Sequence, residues 1–183
     1  MRIGITGSTG LAAAIAEELL GHDITHVRVE EARLVWEDLA ADVFINCAHV
    51  EFEQTKLLMQ AYEAWKNDSS KYIINISSRA AQPNISKGYM YSAQKASLNH
   101  LANNLVYNSD KQCRISTINL GLLNSKFYLP SVSHKEVADI VSYLIKMSEF
   151  TDLEYTELTV QNRANYQEVQ SDKEALKDLE WLN

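Results

Sequence analysis

Tyr91 and Lys95 stand four residues apart in Tyr91-Ser92-Ala93-Gln94-Lys95. On a helix, residues four apart share a face. An ammonium held beside a phenol favours the phenolate, and a free phenol ordinarily titrates near about 10. Such a pair can serve as a general acid and base closer to neutrality. Any helix with one tyrosine and one lysine can show this spacing by chance, so its surroundings decide its weight. Ser78 closes the apolar run 72–77, thirteen residues before Tyr91. Thr6-Gly7-Ser8-Thr9-Gly10-Leu11-Ala12-Ala13 follows the first apolar run, and Asn46-Cys47-Ala48 ends a third.

The glycine turn has its own chemistry. Gly7-x-x-Gly10-x-x-Ala13 leaves a strand and opens a helix, the setting a dinucleotide pyrophosphate requires. Gly7 allows the tight turn. Gly10 lets the pyrophosphate approach the backbone at a helix N-terminus, where free N–H groups and the dipole favour an anion. Ser8, Thr9 and Leu11 lie in the same turn, and Ala13 is small enough for close packing on the strand. An ordinary strand-to-helix turn can use the same glycines for positive φ. Glu30 lies about twenty residues beyond Gly10 and can accept hydrogen bonds from the adenosine ribose, which favours NAD. Arg28 and Arg33 stand close by and could hold the 2′-phosphate of NADP. Both cofactors stay open, with NAD slightly preferred.

Elements that could position these residues alternate along the chain. Apolar runs without polar alternation fall at 3–6, 24–29, 43–47, 72–76, 114–119 and 157–160. Such runs suit strands buried on both faces, as in a parallel sheet. Helix-like segments fall between them, at 11–20, 32–40, 51–65, 89–107 and 134–147. The segment 89–107 places Ala93, Ala96, Leu101 and Leu105 near one face. The expected fold is α/β: a Rossmann-like, doubly wound, mostly parallel sheet of about six strands with helices on both faces. The 183 residues suit a single domain. Residues 171–183 read as a terminal helix or a partner-facing arm.

This set of motifs, in this order, resembles the short-chain dehydrogenase/reductase family, as a shortened and atypical member. The resemblance runs from Arg2 to about Val160. It implies that Tyr91 exchanges a proton with the substrate oxygen, that Lys95 assists it and bonds the nicotinamide ribose, and that Ser78 orients the substrate. It also implies that Gly7, Ser8, Thr9, Gly10, Leu11, Glu30, Asn46, Cys47, Ala48 and Gly121 contact NAD or NADP. Ser77 and Ser78 are strand neighbours, so their hydroxyls should point to opposite faces. Asn119-Leu120-Gly121-Leu122 resembles the segment that backs the nicotinamide, without its proline. Ser133 and Glu136 resemble the entry to the last helix and also form a capping-box pattern. His49 stands where the family usually has glycine.

Departures from the pattern are specific. Residues 29–42 are too few for a full strand and two crossovers, so one strand–helix unit is expected to be absent. The helix after Asn46 lacks the asparagine of the family's tetrad, leaving Lys95 in need of another anchor. Residues 124–130 are too few for the usual substrate cover, so an open or shallow pocket is expected.

Composition narrows the remaining classes. The net charge of −7 and the absence of a Lys/Arg cluster disfavour nucleic acid. No apolar stretch approaches a membrane span, and the N-terminus shows no signal-peptide pattern. A cytoplasmic protein is expected. Cys47 and Cys113 lie in apolar runs and read as reduced, buried thiols. Metal motifs, a P-loop and a Gly-x-Ser-x-Gly elbow are absent. The expected activity is hydride transfer between NAD(P) and a small carbonyl or alcohol substrate. A non-catalytic dinucleotide sensor or scaffold is the competing reading. Tyr62, Trp65, Leu98, Leu101, Leu105 and Tyr107 are many large residues for two helices, which suggests a homodimer or larger homo-oligomer formed through them.

Overall fold

Strands rich in Ile, Val and Phe, apolar on both sides, have to be covered on both sides. That requirement shapes the computed structural model, which describes residues 1–29, 40–83, 88–108, 110–123, 131–151 and 154–161. Its strands are β1 (Arg2–Thr6), β2 (Asp23–Val27), β3 (Val43–Asn46), β4 (Tyr72–Ser78), β5 (Arg114–Leu120) and β6 (Leu158–Val160). Its helices are α1 (Leu11–Glu18), α2 (Glu53–Trp65), α3 (Tyr89–Val106) and α4 (His134–Ser148). A 3-10 turn, Arg79–Ala81, follows β4. The sheet has six strands in the order β2-β1-β3-β4-β5-β6, and every pairing is parallel. The expected α/β fold is therefore present.

Two apolar clusters cover the two faces. On one, Ile3, Ile5, Val43, Ile45, Ile74 and Ile118 pack beneath α1 and α4. Ile15 of α1 and Leu19 just after it meet Val137, Val141, Leu144 and Ile145 of α4 in the same cluster, and Lys135 reaches Glu18 across the two helices at 3.0 Å. On the other face, Phe44, Ile73 and Ile115 pack beneath Leu57, Leu58 and Trp65 of α2 and Leu98 and Ala102 of α3. The Phe44 and Trp65 rings meet edge to face at 6.4 Å. Arg2 clamps Asp42 at 3.0 Å, tying the start of β1 to the approach of β3, and this bond holds the Asp42 carboxyl down at about 2.

The element boundaries match the sequence expectations within a few residues. Among the described residues β2 is the sheet edge, and the strand after it, β3, lies on the far side of β1. The helix expected over 32–40 lies outside the described residues except at its last position, and the segments 124–130 and 171–183 lie wholly outside them.

One expectation needs correction. The buried face of α3 is Lys95, Leu98, Asn99, Ala102 and Leu105; Ala93 is exposed, while Ala96 and Leu101 are half-buried. Hydrophobicity misplaced this face because the helix turns two polar side chains, Lys95 and Asn99, toward the sheet. The residues that suggested a dimer are also mostly spent within the chain. Tyr62, Trp65, Leu98 and Leu105 are buried in the protomer, and Tyr107 alone of the six is fully outside at 78% exposure.

Ser133 accepts from Glu136 N–H at 3.1 Å, and the Glu136 carboxylate accepts from Ser133 N–H at 2.7 Å, completing the capping box of α4. Ser133→Ala should lower stability by about 1 kcal/mol. Phe44→Ala, at a fully buried contact between β3 and α2, should cost about 3–5 kcal/mol. Urea unfolding of the two variants measures both, and the order of the two losses is the check.

Candidate active site

Strand order reverses at β1. The chain leaves β1 for β2 on one side and returns to β3 on the other, so a crevice opens at the C-terminal ends of β1 and β3. Ligands of open α/β sheets bind at such a switch point. The glycine turn occupies it. Gly7 and Gly10 both have positive φ, 89° and 54°. A Cβ on Gly7 would stand 3.3 Å from the Ala48 Cβ, so this turn and the end of β3 touch directly. Thr6 fixes that contact: its buried hydroxyl accepts from Cys47 N–H at 2.8 Å and Ala48 N–H at 2.9 Å. From the edge strand, His26 Nδ1 bonds the Gly7 carbonyl at 2.8 Å. Ser8, Thr9 and Gly10 are exposed, Leu11 is half-buried, and no acidic residue stands in the first turn of α1. An anion can therefore reach the free N–H groups of that helix. Glu30 and Arg33 lie outside the described residues.

The second part of the site is built on α3. Tyr91 is 37% exposed, and Lys95 is 4% exposed one turn further along the same face. Lys95 Nζ lies 5.7 Å from the centre of the Tyr91 ring. The ammonium donates to Gln54 Oε1 at 2.6 Å and to the Ile76 carbonyl at 3.0 Å. Burial pushes its titration down to about 8, with Cys47 opposing. The Cys47 thiol is pushed up to about 12 by burial, against the pull of Lys95. His49 sets its ring edge to face against Tyr91 at 4.9 Å. Burial and Lys95 hold the His49 imidazole below its usual value, while hydrogen bonds to Gln54 and Gln94 raise it.

Ser77 and Ser78 diverge as strand neighbours must. Ser77 turns under α3 and donates to Asn99 Oδ1 at 2.5 Å. Asn99 in turn donates to Asn119 at 2.9 Å, and Asn119 to Glu157 at 2.9 Å. Ser78 stays half-buried at the strand end. Its oxygen accepts from Ala80 N–H at 3.1 Å, and its proton is only loosely held by the Leu120 carbonyl at 3.4 Å. Asn46 is fully buried and donates to the Gln54 carbonyl at 2.8 Å and to Asn75 at 3.1 Å. Gly121 follows β5 and donates to Val160 O at 2.7 Å; a Cβ there would meet Gln161 at 3.0 Å. Its small size thus serves the packing of β6 against β5.

The structure brings Tyr91, Lys95, Asn46, Cys47 and His49 into one polar group, with Ser78 at the end of the adjoining strand. Gln54 was absent from the sequence reading, although it joins Asn46, Ile76 and Lys95. It stands three residues after the expected start of the helix at 51, where a glutamine reads as an ordinary surface residue.

Solved structures share this fold. Serine dehydrogenase from Escherichia coli superposes with a TM-score of 0.71 at 15% identity, over 90% of this chain and 99% of that chain. The 3-alpha-hydroxysteroid dehydrogenase from Pseudomonas sp. B-0831, complexed with NADH, gives 0.68 at 17% identity over 87% and 95%. The alcohol dehydrogenase from the archaeon Thermococcus sibiricus, complexed with 5-hydroxy-NADP, gives 0.70 at 15% identity over 90% and 98%. No curated protein sequence matches the chain. These likenesses show a Rossmann-like α/β fold. The short chain dehydrogenase family model matches residues 33–135. The chain belongs to the short chain dehydrogenase family, a family of oxidoreductases.

The buried Lys95 makes stability depend on pH. Its titration in the folded chain, about 8, lies below the ordinary lysine value of 10.5. Between those values the unfolded chain binds the proton more tightly, so the Lys95 penalty is full below pH 8 and is relieved as pH rises. The stability of the native chain relative to Lys95→Met should therefore rise by about 3 kcal/mol between pH 7 and 10.5. Parallel urea titrations of the two proteins measure the difference, and a flat difference would contradict the buried ammonium.

Proposed function

We propose that the chain is an NAD(P)-dependent oxidoreductase acting on a small carbonyl or alcohol substrate, with Ser78, Tyr91 and Lys95 as its working side chains. The observation that carries this reading is the buried Lys95 ammonium, held at two of its three donors and set 5.7 Å from the Tyr91 ring. Bound nicotinamide would supply or accept the hydride. Tyr91 would give a proton to, or take one from, the substrate oxygen, since it stands at the surface end of the pair. Lys95 would favour the phenolate and keep its third N–H for a ribose hydroxyl. Ser78, with its proton loosely held, would orient the substrate oxygen. Gly7, Ser8, Thr9, Gly10 and Leu11 would receive the pyrophosphate, and Asn46, Cys47 and Ala48 would line the crevice behind it.

The residues present fit such a cofactor: two positive-φ glycines, an N-terminus free of acidic side chains and a crevice at the strand reversal. NAD is slightly preferred over NADP on the strength of Glu30. A cytoplasmic setting fits this chemistry, and among the described residues no helix is long and apolar enough to cross a membrane.

A second reading, a non-catalytic dinucleotide sensor, has one observation in its favour. The His49 ring stands against Tyr91, where the family usually has glycine and leaves space. Mutation separates the two. On any accepted carbonyl or alcohol, Tyr91→Phe should cut turnover by about 10²–10⁴-fold with NADH affinity nearly unchanged. Lys95→Ala should damage both. Gly10→Val should abolish NADH and NADPH binding in calorimetry while the fold persists by circular dichroism. NADH binding without turnover across a broad substrate panel would favour the sensor. Unchanged affinity in Gly10→Val would remove the glycine turn from either reading.

A further inference from the structure

Lys95 is an ammonium with three N–H donors and, among the described residues, no carboxylate partner. Its two acceptors are neutral, Gln54 Oε1 and Ile76 O. The titratable groups facing it are Cys47 at the end of β3, His49 in the loop before α2, and Tyr91 on its own helix. The strand β4 offers only the Ile76 carbonyl.

Gln54, the second residue of α2, is 2% exposed and spends its side chain at both ends. Nε2 donates to the Asn46 carbonyl at 2.8 Å and the Ile76 carbonyl at 3.0 Å. Both amide hydrogens are therefore committed to carbonyl oxygens. That fixes the amide's orientation, so the oxygen, and not the nitrogen, faces Lys95. The Ile76 carbonyl accepts from Gln54 and Lys95 together, closing a ring of hydrogen bonds across α2, β4 and α3. Asn46 completes the frame by donating to the Gln54 backbone carbonyl at 2.8 Å. The α2 helix holds its place against α3 through Thr55 and Ser97 hydroxyls 2.7 Å apart.

We propose that Gln54 is the positioning residue for Lys95. Its amide directs the ammonium beneath Tyr91 and leaves one N–H for an incoming hydroxyl. The role rests on the reading of Tyr91 and Lys95 as the acid/base pair, but the coupling of Gln54 to Lys95 is separable from it. The α2 sequence Glu53–Trp65 contains no asparagine, and Gln54 supplies directly the anchor that a water chain would otherwise require. A neutral amide differs from a carboxylate in one consequence. It fixes the geometry without offsetting the charge, so burial still drives Lys95 down to about 8.

The test is nuclear magnetic resonance titration of the wild-type chain, following the Lys95 side-chain and Gln54 side-chain amide resonances from pH 6 to 11. Lys95→Met and Gln54→Met supply the assignments. The Gln54 amide should titrate with the same midpoint as Lys95, and that response should persist in His49→Asn. Gln54→Glu should raise the Lys95 midpoint by at least one unit, since it places a carboxylate beside the ammonium. A Gln54 resonance that ignores Lys95, or one that follows only His49, overturns the proposal. So does an unmoved Lys95 midpoint in Gln54→Glu. The wild-type titration needs no substitution at a buried site, so a variant that fails to fold leaves the test standing. NADH binding, measured separately, distinguishes the two failures. Coupled titration without NADH binding leaves the Gln54 role intact and removes the cofactor. NADH binding without coupling removes Gln54 alone.

Discussion

Backbone groups at the C-terminal ends of β1, β3 and β4 run out of strand partners, and side chains have to take their place. A buried N–H or carbonyl left unpaired costs as much as a lost hydrogen bond. Thr6 answers this at Cys47 and Ala48, Gln54 at Asn46 and Ile76, Lys95 at Ile76, and Ser78 at Ala80. The polar side chains that meet this backbone demand are the same ones that make the site. Site and sheet end are thus one structure: the divergence of parallel strands creates the crevice and also calls for the polar residues that line it.

That arrangement explains the mixed character of α3. A helix on a buried sheet is expected to turn an apolar stripe toward it. Here Lys95 and Asn99 share the stripe with Leu98, and only beyond them, at Ala102 and Leu105, is it wholly apolar. Each polar member has its partners. Lys95 finds Gln54 and Ile76, and Asn99 sits between Ser77 and Asn119. The helix carries Tyr91 and Lys95 at one end and anchors itself with hydrophobic packing at the other.

Features set by local rules were legible in the sequence. Tyr91 and Lys95 share a helix face because helices repeat, and Ser133 with Glu136 forms a cap from four consecutive residues. The glycine turn was visible because positive φ favours glycine, and the buried strands because they are apolar without alternation. Features set by tertiary pairing were not. Gln54 looks like any surface glutamine until β3, β4 and α3 surround it. Trp65 and Leu98 look like spare apolar surface until the sheet is in place beneath them. The face of α3 was misjudged for the same reason: a buried lysine reads as exposed unless its acceptors, which come from other elements, are known.

The packing of α1 on α4 joins the first thirty residues of the chain to residues 134–148. During synthesis the glycine turn leaves the ribosome early, while the helix that covers its neighbour follows more than a hundred residues later. Until α4 arrives, Ile15 and Leu19 lack the cover of Val137, Val141, Leu144 and Ile145, although β1, β2 and β3 are already made. The crevice beside the glycine turn is therefore among the first parts of the chain to be translated, and the α1–α4 packing next to it comes late. A nascent chain halted before α4 would carry the whole glycine turn without the packing that gives it shape.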